Sequence, residues 1–372
     1  MQKYLATFIL SYLRFFTHLQ VLKLKILNFK LKIIGVTGSA GKSSVVYALD
    51  HVLSSKYKTI TTKNYNSESG IPLSILGLKI KNYSILDWLK IIILAPIKIL
   101  TSWPKIDFII AEMGIDSLQS PKNMDYLLSI IKPDIGIFTS LSTVHMANFN
   151  NNIDNIGKEK AKLINSLPSS GYAIFNPDLK KYIHTKAKII NIKPGIQTKE
   201  IATAVGKIFG ITANFDNLAL PPSRCSILKG KNKTTIIDSS YNSSLVAATE
   251  MLKLLATYPS PRIAILGDMR EIGKKSNEEH QKLYKTAQQY ADIIIGVGPE
   301  TQKVFKTAYQ YWWQVPLNFP QKSTILVKGS QNTIYLEELV KKLLKNKSDQ
   351  KLLCRQSPYW QKIKQQFQSS IS

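Results

Sequence analysis

Short apolar runs alternate along this chain with helix-spaced apolar positions, a pattern that predicts two successive α/β units. In the first unit, 33–37, 107–112, 135–139 and 172–175 read as strands: each is rich in Ile, Val or Phe and is followed by a turn-forming residue such as Gly38, Ser140 or Asn176. Helical spacing falls at 43–55, 121–131, 154–167 and 197–209, and 191–195 reads as a turn. The pattern breaks around Leu220-Pro221-Pro222-Ser223 and then resumes. Strands are expected at 234–238, 262–267, 293–297 and 324–328, with helices at 243–255, 277–290, 301–309 and 335–344. Such alternation calls for mostly parallel sheets. The expected fold class is therefore α/β, with a P-loop ATPase-type central domain (33–217) and a Rossmann-like domain (218–345). No G-x-G-x-x-G follows a strand, so dinucleotide binding has no support.

The ends depart from this rhythm. No acidic residue precedes Asp50, while Lys3, Arg14, Lys23, Lys25, Lys30 and Lys32 interrupt apolar residues such as Leu5, Phe8, Leu13, Phe15 and Leu19. The uninterrupted apolar runs are too short and too charged to predict a bilayer-spanning helix, and no small-residue cleavage site follows them. Residues 1–32 are thus expected to form a basic amphipathic helix. Two placements stay open: on an anionic membrane surface, or packed on its own domain. The apolar stretch 88–103, with Pro96 inside it, invites the same two readings. The Lys/Gln-rich tail, 346–372, is expected to be polar with a frayed end.

Length and charge narrow the class. The 372 residues suffice for two or three domains, and the net charge of +26 favours polyanionic partners such as nucleic acid, anionic lipid or phosphorylated substrates. Lysine enrichment accompanies Asn and Ile enrichment, and no nucleic-acid motif stands out, so nucleic acid is not an expected partner. Two cysteines, Cys225 and Cys354, are too few for a disulfide framework and agree with a reducing cytoplasm.

The chemistry concentrates at 33–44, Ile-Ile-Gly-Val-Thr-Gly-Ser-Ala-Gly-Lys-Ser-Ser. An apolar run enters a glycine-spaced turn, and a helical pattern through Val45, Val46, Leu49 and Val52 leaves it. The turn can aim backbone N–H groups and a helix N-terminus at a polyphosphate. Thr37, Gly38, Ser39, Ala40, Gly41, Lys42, Ser43 and Ser44 are the candidate ATP-binding residues, with Lys42 on the β/γ-phosphates and Ser43 on Mg²⁺. The fit to G-x-x-x-x-G-K-[ST] has one exception, Val36 at the first glycine. Glu112, at the end of an apolar run, is well placed to hold Mg²⁺ directly or through water. His145 follows another strand at the same edge.

These segments, together with Asn64-Tyr65-Asn66-Ser67-Glu68-Ser69-Gly70, Ile156-Gly157-Lys158-Glu159-Lys160 and Phe175-Asn176-Pro177-Asp178, resemble the Mur ligase family, above all its D-alanyl-D-alanine-adding branch. Asp238-Ser239-Ser240-Tyr241-Asn242, Leu266-Gly267-Asp268-Met269 with Glu271 and His280, and Val327-Lys328-Gly329-Ser330 extend the likeness across about 33–340. The resemblance implies an ATP-dependent ligase of peptidoglycan precursor synthesis that joins a carboxylate to an amine through an acyl phosphate. Its implied substrates are a UDP-muramoyl peptide and D-Ala-D-Ala. It implies ATP and two Mg²⁺ ions, held by Ser43, Glu112, His145 and a carbamylated Lys160. It further assigns Asn176 and Asp238 to ATP, Arg224 to catalysis with Lys42 and Lys160, and Asn64, Asn66, Tyr241 and Asn242 to substrate. Three departures accompany it. The family's UDP-binding N-terminal domain has no counterpart, its His-Asn-x-x-Asn adenine-side motif is not recognisable between Asp178 and Gly210, and its paired aspartates appear as Asp238-Ser239. A non-catalytic nucleotide-binding relative, or a ligase with another acceptor, is the alternative.

Overall fold

The computed structural model describes residues 2–63, 65–80, 84–143, 146–194, 197–270, 272–329 and 333–371, with side chains from Leu5 onward. The chain divides into two compact units, one comprising 1–141 and 148–219, the other 142–147 and 220–372.

The first unit is built on six parallel strands: β1 (Lys32–Thr37), β2 (Thr59–Thr61), β3 (Phe108–Glu112), β4 (Ile135–Phe138), β5 (Tyr172–Phe175) and β6 (Lys188–Asn191). Their spatial order is β2-β3-β1-β4-β5-β6. The connections run to one side of β1 and then to the other, and such a switch point opens a crevice at the strands' C-terminal ends. β3 and β4 are buried throughout and β1 over all but its first residue, as strands covered on both faces must be. Helices α1 (Gln2–Leu27), α2 (Lys42–Leu53), α3 (Gly70–Ile75), α4 (Ile85–Thr101), α5 (Met124–Ile130), α6 (Ile153–Asn165) and α7 (Thr198–Ile208) complete it. The apolar stripe Val45, Val46, Leu49 and Val52 of α2 packs with Ile201 and Val205 of α7 over β1 and β4. The expected turn at 191–195 is preceded by a strand, β6, whose half-exposed Lys-Ile-Ile-Asn is too short and polar-flanked to stand out by pattern.

The second unit carries β7 (Ser226–Lys229), β8 (Thr235–Ser239), β9 (Arg262–Gly267), β10 (Ile293–Val297), β11 (Ala308–Tyr309) and β12 (Thr324–Lys328), in the order β11-β10-β9-β12-β8-β7. Only β7 is antiparallel to its neighbour. Helices α8 (Leu245–Ala256), α9 (Ser276–Tyr290), α10 (Pro299–Gln302), α11 (Leu336–Leu343) and α12 (Pro358–Ser369) flank the sheet.

Three expectations need correction. The helix predicted at 301–309 is one turn, α10, followed by β11; the chain reverses so that Phe305 enters the core and Ala308 and Tyr309 pair with Gly296 and Val297 of β10. The tail is folded: Trp360, Ile363 and Phe367 of α12 pack on the core formed by β8, β9, β12 and α11. Leu5–Leu27 is long and apolar enough, by length and composition alone, to cross a membrane. The reason is that Arg14, Lys23 and Lys25 are its only Lys, Arg, Asp or Glu residues, and apolar residues fill most of the rest. In the structure one face of α1 packs on α3, α4 and α5 of its own unit.

Candidate functional site

The glycine turn between β1 and α2 folds as its sequence demands. Gly41, the residue before α2, has φ 81°, and Gly38 has φ 142° with a Cβ position 2.0 Å from Thr139 Oγ1. A side chain at Gly38 would therefore collide as well as strain the backbone. The turn is braced from the end of β4. Ser39 N donates to Ser140 O at 2.8 Å, Ala40 N donates to Ser140 Oγ at 3.0 Å, and Thr139 Oγ1 donates to Ala40 O at 2.6 Å. Thr37 Oγ1 donates to Met113 O at 2.9 Å, tying β1 to the end of β3.

Five candidate side chains meet beside this turn. Lys42 Nζ and Lys160 Nζ donate to the same acceptor, Gly38 O, at 2.9 and 3.2 Å. Lys160 is buried on α6. Burial, and then the Lys42 charge, hold its amine well below the usual lysine range, against the smaller pull of Asp116, Glu112 and Glu159. Two amine-bearing side chains thus share one carbonyl oxygen, and Lys42 lies at the edge of the turn. Opposite in charge, the buried Glu112 carboxylate accepts from Ser43 Oγ at 2.6 Å and from Asn66 Nδ2 at 3.2 Å. Glu112 N in turn donates to the buried Thr62 hydroxyl at 2.9 Å. Gly114 N bonds Asn66 O at 3.0 Å, which fixes the 65–69 loop against the end of β3.

A hydroxyl and a carboxylate are hard oxygen donors suited to Mg²⁺. This donor set fits one ion at Ser43 and Glu112. Among the described residues no group of three or more His, Cys, Asp or Glu side chains gathers. His145 and Asn64 lie outside the described residues. Asn176 caps a single 3₁₀ turn, accepting from Asp178 N at 2.7 Å.

In the second unit, Asp238 through Asn242 form a turn held from several sides. Asp238 is fully buried, which pushes its carboxyl up; Ser223 Oγ and Ser240 N donate to it at 2.7 and 3.0 Å. Arg224 lies over the Tyr241 ring at 4.1 Å. Lys328 donates to Ser239 O at 3.4 Å and to Asn242 O, and its amine is lowered to about 7 by burial and by Arg224. Arg355, from the tail, donates to Tyr241 O at 3.2 Å and Ser240 O at 3.3 Å. Its guanidinium is fixed on buried Glu337 at 2.9 and 3.0 Å. Nearby, Asp268 accepts from Glu300 N and Thr301 N at 3.0 and 2.8 Å. His280 Nε2 accepts from Met269 N at 2.9 Å, while Nδ1 faces Ser276 O at 2.7 Å, an arrangement that assigns the neutral ring. A cavity of about 640 Å³ opens beside them, lined by Asp268, Arg270, Glu300, Tyr311 and Phe367 among others.

Residues 36–212 match the Mur ligase middle domain, and residues 223–315 the Mur ligase, glutamate ligase domain. The chain belongs to the Mur ligase family. The UDP-N-acetylmuramoyl-tripeptide--D-alanyl-D-alanine ligase of Escherichia coli strain K12 is 22% identical over 85% of this chain and 77% of its own length. The MurF of Acinetobacter baumannii superposes with a TM-score of 0.70 at 19% identity, covering 89% of this chain and 80% of that one. The MurF of Thermotoga maritima, in complex with ADP, superposes at 0.68 with 20% identity and coverages of 88% and 83%. Both Mur ligase domains thus have the α/β architecture expected from the sequence.

Within the first Mur ligase unit, Lys42, Ser43, Glu112, Asn66 and Lys160 come together around the glycine turn. Asp238, Tyr241 and Asn242 share one turn of the second, and Arg224 lies over the Tyr241 ring. Thr62, Thr139, Ser140 and Arg355 were not singled out as site residues. For Thr139 and Ser140 the signal in the sequence is position at the end of an expected strand; Thr62 and Arg355 carry none, since no strand is expected before Thr62 and the tail reads as polar.

Proposed function

We propose that this chain is an ATP-dependent carboxylate–amine ligase of MurF type, which adds D-Ala-D-Ala to a UDP-muramoyl peptide. One observation supports it most: Lys42 and Lys160 converge on Gly38 O while Ser43 and Glu112 pair beside them. In the proposed reaction a substrate carboxylate oxygen attacks the γ-phosphorus, and the bond to the bridging oxygen breaks to release ADP. The amine nitrogen then attacks the acyl carbon; the carbon–oxygen bond to phosphate breaks, phosphate departs and the amine loses a proton. Both steps gather negative charge, which Lys42 is placed to offset without reorganisation. Thr37–Ser44 would cradle the triphosphate, with Asn176 and Asp238 completing the nucleotide's surroundings, and Arg224, Asn64, Asn66, Tyr241 and Asn242 would serve the substrates. Ser43, Glu112, His145 and Lys160 would hold two Mg²⁺ ions. Divalent metal, when bound, supplies charge neutralisation on the transferring phosphoryl group. Lys160 could enter that set only as a carbamate, and its lowered amine pKa favours the neutral form that CO₂ requires.

The test is release of ADP and phosphate. Release that requires both a UDP-muramoyl peptide and D-Ala-D-Ala supports the reading; folded protein with Mg²⁺ that turns over no such pair refutes it. A second reading has one observation in its favour. Ser239 stands, buried at the end of β8, where the family pattern places an aspartate. A nucleotide-binding relative without catalysis would bind ATP, release no phosphate, and function in cells unchanged by Lys42→Ala.

A further inference from the structure

We propose that α1 and α4 together form a docking face for an anionic lipid bilayer, lying in the plane of its headgroups. α1 carries two apolar stripes. The inner one, with Ile9 and Leu13, joins Leu73, Leu76, Ile91 and Ala95 in a closed cluster. The outer stripe, Leu5, Phe8, Phe15, Leu19, Leu22 and Ile26, recurs at three-, four- and seven-residue steps and faces solvent, as does Phe29, which is 92% exposed. α4 repeats the arrangement: Ile91 and Ala95 are buried, while Leu86, Leu89, Ile93, Ile97 and Leu100 are exposed. Because the two helices share the inner cluster, both outer stripes turn away from it. Tyr12 Oη donates to Ile92 O at 2.5 Å, and Lys23 bonds the carbonyls of Ile99 and Ser102 with its ammonium 4.2 Å from the Trp103 ring. The two helices are therefore fixed to one another. More than ten large apolar side chains are exposed there, far beyond the scattered few of an ordinary soluble surface.

Charge selects the occupant. Residues 1–49 contain no Asp or Glu, and Asp87 is the only acid in 69–106. Lys25, Lys30, Lys90, Lys98 and Lys105 are exposed around the stripes. A two-fold contact with a second copy would set lysine rim against lysine rim with Asp87 the one acid of these two segments to meet it. Anionic headgroups satisfy those lysines while the apolar stripes enter the acyl boundary. Lying on the membrane, rather than crossing it, follows from the inner face. Arg14 bonds Ser129 Oγ at 3.2 Å, His18 pairs with Ser129 O at 2.7 Å, and Lys23 is anchored as above. A spanning α1 would break all of these and strip the inner cluster.

The experiment uses the full chain and sedimentation with phosphatidylglycerol vesicles, with phosphatidylcholine vesicles as the neutral control. Leu22→Gln and Ile93→Gln alter exposed positions without changing net charge, so loss of binding reports apolar contact and not the +26 charge acting at a distance. Each is expected to weaken binding about tenfold, with circular dichroism unchanged. Lys25→Gln and Lys90→Gln are each expected to cost about fivefold on phosphatidylglycerol and nothing on phosphatidylcholine. Folded wild-type protein that does not sediment with phosphatidylglycerol overturns the proposal. So does binding that both apolar-to-Gln variants leave intact. A dimer in analytical ultracentrifugation that the same variants convert to monomer, without vesicle binding, would assign the face to a second copy instead.

Discussion

Lys160 is a buried lysine whose side chain reaches the carbonyl already held by Lys42, and that placement decides its chemistry. As an ammonium it adds a second desolvated cation; as a neutral amine it can take CO₂ and become an anion. If it acts as the carbamate, Lys160→Ala removes ligase turnover by about 100-fold or more. Added formate or acetate, small enough to occupy the vacated volume, is then expected to restore part of it, whereas chloride at equal ionic strength is not. Unrescued loss, with nucleotide binding intact, would leave Lys160 as a structural cation. Composition alone reads Lys160 as a solvated helix residue, yet it falls on the same side of α6 as Ile156, Leu163 and Ile164, all buried. Helical spacing therefore held a signal for its burial that residue type concealed. Lys328 offers a pH test of the same kind. Its pKa is lowered by burial to about 7, against the ordinary 10.5 of the unfolded chain. Between those values the unfolded state binds the extra proton, so stability rises with pH, by at most about 1.4 kcal/mol per unit. Below pH 7 the full cost of burying the cation is present. Unfolding free energy measured from pH 7 to 9.5 is expected to climb in the wild type relative to Lys328→Met, and parallel curves would refute the assignment.

Among elements, the C-terminal tail shows how a polar sequence can be structural. Arg355 and Lys364 both reach the fully buried Glu337, and burial alone would push that carboxyl up; the two cations outweigh it and hold the carboxyl below its usual value. Replacing both cations, as Arg355→Met with Lys364→Met, keeps the tail's apolar packing and leaves a buried, unpaired carboxylate beneath the Ser240–Tyr241 turn. The expected loss is about 3–5 kcal/mol by denaturant unfolding. Adding Glu337→Leu to that variant is expected to recover much of it, because no charge then remains to desolvate. A double variant as stable as the wild type would mean the network contributes nothing. This also marks where the sequence is legible. Strands β5, β9, β10 and β12 fall on the predicted residues, since continuous Ile/Val/Leu runs bounded by turn formers leave little choice. The two-residue β11, the half-exposed β6 and the Gln/Lys-rich α12 were missed because packing, not local pattern, decides them. The glycine turn was readable for a different reason: its torsions and contacts admit few residues other than those present.

For the whole molecule, each unit has its own sheet and its own core. Val36, Leu49, Ile137 and Val205 belong to one, and Ile263, Ile325, Val327 and Leu339 to another. Separate cores allow separate melting, so the ligand response can be read unit by unit. The triphosphate-binding groups proposed for the glycine turn all lie in the first unit, and a ligand that binds only the native state stabilises what it binds by RT ln(1 + [L]/Kd). At a nucleotide concentration 100 times Kd this is about 2.7 kcal/mol. Calorimetry with ATP and Mg²⁺ is therefore expected to raise one transition and to move the other much less. Lys42→Ala should cancel the rise while leaving the ligand-free transitions in place, because Lys42 bonds the turn's own Gly38 O and is not a core residue. Equal shifts of both transitions would mean that the nucleotide grips the second unit as well, and Asp238→Asn would then be the variant that separates the two contributions. No shift at all, in protein that melts cooperatively, would remove the triphosphate from the glycine turn and with it the basis for ligase chemistry.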